Sequence, residues 1–147
     1  MKDKLYYQTD KLQSLIDWDN IMKMDRYAGG HDDQMQGLFK DSEVIAHWKS
    51  GDWQGMVATC VKLPTGEYVI YNDYYGSCSG CDAWDGACDD DVKKLCIDLA
   101  NSAYVFKSIE DVKNFLSDTS ESNRDGNYDW FKAEDSASGL LQELNKL

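Results

Sequence analysis

Two cysteines separated by two residues carry the spacing best suited to chemistry in this chain. They are Cys78 and Cys81, in the turn Tyr74-Tyr75-Gly76-Ser77-Cys78-Ser79-Gly80-Cys81-Asp82. A C-x-x-C segment lets two thiolates grip one metal ion, because the intervening pair turns the chain back on itself. A structural zinc site needs two further ligands. Cys88 follows closely, and Cys96, Cys60, Asp82, His31 and His47 are the other donors to weigh. The second C-x-x-C or H-x-x-x-H pair that would complete such a site is missing. Redox chemistry would need the pair at a helix N-terminus, where the helix dipole lowers a thiol pKa. The next helix is expected near Asp89, about eight residues beyond Cys81, and the surrounding aspartates raise a thiol pKa instead. The preferred reading is a structural turn in which Gly76 and Gly80 supply unusual φ values above small packed cysteines. Zinc held by Cys78, Cys81 and Cys88, or a reactive thiol there, is the alternative.

Other near-motifs weaken on inspection. Glu121-Ser122-Asn123-Arg124-Asp125-Gly126 has the oxygen spacing of the first half of a calcium loop. Its twelfth position is Lys132, which cannot supply the bidentate carboxylate such a loop requires. Glu43 and His47 would lie one helical turn apart on the helix expected there, within hydrogen-bonding reach. A lone histidine beside Ile45 and Trp48 reads first as structural. There is no phosphate-binding glycine loop, no G-x-S-x-G elbow and no metalloprotease helix. With 27 acidic side chains, no single carboxylate pair stands out as an acid and base. A binding protein is therefore expected over an enzyme.

Recognition residues are easier to nominate. Trp48, Trp53, Tyr68, Tyr71, Tyr74, Tyr75 and Trp84 concentrate around the hairpin and its flanks, where most are expected to fill the core. Asp52, Asp73, Asp82, Asp85, Asp89, Asp90 and Asp91 lie next to them, and Trp53, Tyr74, Tyr75 and Trp84 are the candidate anchors. Aromatic anchors ringed by carboxylates suit a basic protein surface. A second acidic group, Asp17, Asp25, Asp32, Asp33, Asp41 and Glu43, occupies the first third of the chain. Either group is a candidate for imitating duplex phosphates if it shares one face.

The bulk charge points the same way. Fifteen basic and 27 acidic residues leave a net charge of −12, which repels nucleic-acid backbones and anionic lipid alike. Direct nucleic-acid binding and membrane binding are disfavoured, and a basic protein partner is favoured. The start of the chain lacks the apolar stretch of a secretory signal, and no run is long enough for a membrane span. Five cysteines in such a chain suggest reduced thiols in a cytoplasmic compartment. Oligomeric state is left open.

Elements must hold these residues in place. At 147 residues and 42% hydrophobic content, one domain with its own core is expected over residues 1–147. Leu12, Leu15, Ile16, Trp18 and Met22 suggest a helix over 10–25, and a short helix is expected from Asp41 or Ser42 to Lys49. Met56–Leu63 and Glu67–Asp73, rich in β-branched and aromatic residues, flank Pro64-Thr65-Gly66 and predict an antiparallel hairpin. Val92, Leu95, Cys96, Leu99 and Ala103 form one apolar stripe of a helix starting at three aspartates, which the dipole favours there. Tyr104-Val105-Phe106 reads as a short strand. Ser108-Ile109-Glu110-Asp111 is a capping-box-like start for another helix bearing Val112, Phe115 and Leu116. Residues 117–127 read as a loop, Tyr128–Phe131 as a strand, and Ser138–Leu147 as a closing helix. The expected class is α+β, a small antiparallel sheet centred on the 55–74 hairpin and packed with several helices.

The segment Tyr75-Gly76-Ser77-Cys78-Ser79-Gly80-Cys81-Asp82 resembles one found in small uncharacterised proteins of bacteriophages and bacteria. The likeness covers about ten residues of the turn and extends loosely over the hairpin before it. That family carries no settled activity, so the resemblance implies an origin rather than a catalytic role. Small acidic phage proteins often act by binding host machinery, sometimes by imitating the charge of DNA. The resemblance therefore implies an inhibitor of a basic host protein, such as a nuclease or a defence complex, acting in the host cytoplasm.

Overall fold

The centre of the fold is the hairpin, and local chemistry closes it. The backbone N–H of Gly66 donates to the carbonyl of Leu63 (2.9 Å), and Leu63 N–H donates to the Glu67 carbonyl (2.8 Å). Pro64 presets the first corner, and Gly66 adopts a φ of +92°, a conformation that L side chains rarely take. The computed structural model describes residues 6–7, 10–23, 36–49, 55–75, 88–122 and 136–147. Its strands are β1 (Tyr6–Tyr7), β2 (Glu43–Lys49), β3 (Gly55–Lys62), β4 (Tyr68–Tyr75) and β5 (Tyr104–Phe106). They form one sheet in the order β1-β5-β4-β3-β2, antiparallel at every pairing. The helices are α1 (Trp18–Ile21), α2 (Asp89–Ser102), α3 (Ile109–Ser122) and α4 (Ser136–Asn145), with a 3₁₀ segment over Asp10–Leu15. The class is α+β, as the order of elements implies.

Directly paired residues share a face of the sheet, so the register sorts the core into two layers. Ala46, Cys60, Ile70 and Tyr104 are aligned across β2, β3, β4 and β5, and all are buried. Phe115 of α3 covers this face, its ring centroid 5.1 Å from that of Tyr104 and 5.4 Å from that of Phe106. Helix α4 packs on β2 and β3 from the same side, where Gly139 meets the indole of Trp48. Val57, Thr59, Val61, Val69, Tyr71 and Val105 point the other way. There Phe39 meets Tyr71 edge-on at 5.6 Å, and α2 packs against β4 and the 3₁₀ segment. Both faces are covered, which is why β3 and β4 read as near-continuous apolar runs.

Three expectations are corrected. Glu43–Lys49 is a strand rather than a helix, because its backbone finds partners across β3 from Val44↔Val61 to Lys49↔Val57. A register shift between Val44 and Ala46 breaks the alternation that would have marked a strand. The expected helix over 10–25 is divided, because Ile16 pairs with Phe39 and Asp17 N–H donates to the Leu38 carbonyl (2.8 Å). Asp17 then caps α1, its carboxylate accepting from Asn20 N–H at 3.2 Å. Finally, α3 continues to Ser122, through the first half of the loop expected over 117–127. The Ser108 hydroxyl accepts from Asp111 N–H (3.1 Å) at its start, as the capping pattern implies. The strand expected at Tyr128–Phe131 lies outside the described residues.

Candidate functional site

The direction of α2 decides which nominated residues meet. Cys96, in the middle of α2, feels the charge of Asp73 near the end of β4. After Ala103 the chain enters β5, where Tyr104 pairs with Ile70. Helix α2 thus runs antiparallel to β4, and its first turn lies at the end of the sheet where β4 stops at Tyr75. Tyr74 and Tyr75 are the last residues of that strand, paired with Met56 and Gly55. Asp89, Asp90 and Asp91 are all exposed in the first turn of α2. Cys88 is the exposed N-cap residue, and its carbonyl accepts from Val92 N–H at 2.9 Å. The helix dipole favours three carboxylates at this N-terminus, and all three side chains are exposed to solvent. Trp53, Cys78, Cys81, Asp82, Trp84 and Asp85 lie outside the described residues.

The described members of the second acidic group stand apart from Asp89–Asp91. Asp41 and Glu43 are exposed where β2 begins, and Glu43 pairs with Lys62 at the hairpin end of the sheet. The length of β3 separates that end from the one where β4 stops, about 24 Å at the usual rise per residue. Asp17 is occupied as a cap. Asp25, Asp32 and Asp33 lie outside the described residues. Among the described carboxylates, Asp89–Asp91 form the concentrated group.

The described donors also stay apart. Cys60 faces α3 and α4, whereas Cys96 on α2 and His47, paired with Thr59, lie on the opposite face. Burial pushes the Cys60 thiol up to about 12, and burial followed by the charge of Asp73 does the same for Cys96. Both are neutral thiols at physiological pH and poor nucleophiles. Among the described residues, no group of three His, Cys, Asp or Glu side chains is placed to hold a metal ion. Glu43 and His47, expected one helical turn apart, instead stand at separate positions of a bulged strand. His47 Nδ1 shares a hydrogen bond with the Thr59 hydroxyl at 2.9 Å, and Thr59 is buried. Sequence reasoning missed this polar contact; its trace was a threonine inside the apolar run of β3.

The chain matches no protein-family model, no curated protein and no solved structure. Among the described residues, no helix is long and apolar enough to cross a membrane.

Proposed function

We propose that the protein is a non-enzymatic acidic binding protein that docks on, and inhibits, a basic host protein such as a nuclease or defence complex. The observation that supports this reading is the exposed Asp89-Asp90-Asp91 turn opening α2, in a chain of net charge −12. Carboxylates gathered at one end of the sheet raise the local negative potential, which speeds encounter with a basic surface and penalises acidic ones. A host target in the cytoplasm is part of the same proposal and follows from the phage origin expected from the cysteine turn. Tyr74 and Tyr75, at the same end of the sheet, are the proposed aromatic contribution.

Position tests the reading. The triple change Asp89→Lys, Asp90→Lys and Asp91→Lys should abolish or strongly weaken salt-sensitive association with proteins of the natural host. Asp41→Lys with Glu43→Lys, at the far end of the sheet, should reduce it far less. Circular dichroism must show an unchanged helix signal in the first variant, since the reversal also opposes the α2 dipole. Equal binding by both variants and the parent would sink the proposal.

A further inference from the structure

We draw no further inference here: the strongest candidate, the outer edge of β2 at the margin of the sheet, where Val44 is 42% exposed beside Glu43, carries nothing because nothing in the structure shows what covers it.

Discussion

Two neighbouring rows of the sheet, one residue apart in register, solve burial in opposite ways. Ala46, Cys60, Ile70 and Tyr104 form an apolar row beneath α3 and α4. His47, Thr59 and Tyr71 form the next row, on the other face beneath Phe39 and α2. The first row is closed by shape: rings at 5.1 and 5.4 Å, and an indole laid against a glycine. The second is closed by pairing, with His47 on Thr59 and the Tyr71 hydroxyl donating to the Gln36 carbonyl at 3.3 Å. Apolar faces are sensitive to volume, whereas polar rows are sensitive to the loss of one partner. The two faces should therefore fail under different substitutions.

The largest effect belongs to the shape-closed face. Phe106 is fully buried and in ring contact with Phe115. Phe106→Ala should cost about 3–5 kcal/mol, enough to threaten folding at ambient temperature, as read from urea unfolding. A loss below about 1 kcal/mol would mean that α3 does not rest on this face.

Gly139→Ala probes the same face by addition. Alanine is a better helix former than glycine by about 1 kcal/mol, so a helix considered alone predicts stabilisation. The new methyl would overlap ring atoms of Trp48, a side chain itself packed against the core. Overpacking of that kind costs about 1–3 kcal/mol and should win. In a Trp48→Leu background the same substitution should turn neutral or stabilising, because the ring is gone. Destabilisation that persists there would place the cause elsewhere than the indole.

The polar row is broken by a change that alters little volume. Thr59→Val keeps the β-branched shape but removes the hydroxyl that His47 Nδ1 engages. Removing that bond from the half-buried imidazole should cost about 1 kcal/mol. Cys60→Ala, the adjacent position on the other face, removes only a small buried side chain and provides the control. A neutral Thr59→Val would show that the second face is held by its apolar neighbours alone.

The contrast between the rows also explains what could be read in advance. The hairpin was legible because its information is local: Pro64 and Gly66 fix the turn, and Val57–Val61 and Val69–Tyr71 are strand formers on both faces. Helix α2 was legible because Val92, Cys96, Leu99 and Ala103 repeat at helical spacing. Strand β2 was not, since only its pairing with β3 makes it a strand and its register shift hides the alternation. The N-terminal segment was misread for a related reason, because Ile16 finds its partner at Phe39, far along the chain. For the candidate site, residue types were legible at Asp89–Asp91. Their position at the β4 end followed only from the direction of α2.

The smallest effect compares the faces through their thiols. Cys60 lies on the shape-closed side and Cys96 on the other, and both are pushed up to about 12 from 9.0. Below about pH 9 the folded and unfolded chains both hold these protons, so the thiols leave stability unchanged. Between about 9 and 12 the unfolded chain releases them while the fold retains them. Stability therefore falls as pH rises through that window, by at most roughly 1.4 kcal/mol per pH unit for each thiol. Lysines and tyrosines titrate in the same range, so the thiol contribution is read as a difference between the parent and Cys60→Ala or Cys96→Ala. Each substitution should flatten the high-pH slope. The two should separate with Asp73→Asn, which removes a carboxylate that raises Cys96 and not Cys60. That change should shallow the slope modestly in the parent and in Cys60→Ala, and not at all in Cys96→Ala. An equal response in all three backgrounds would show that Asp73 acts on some other group, and would remove the charge that distinguishes the α2 face from the face beneath α3 and α4.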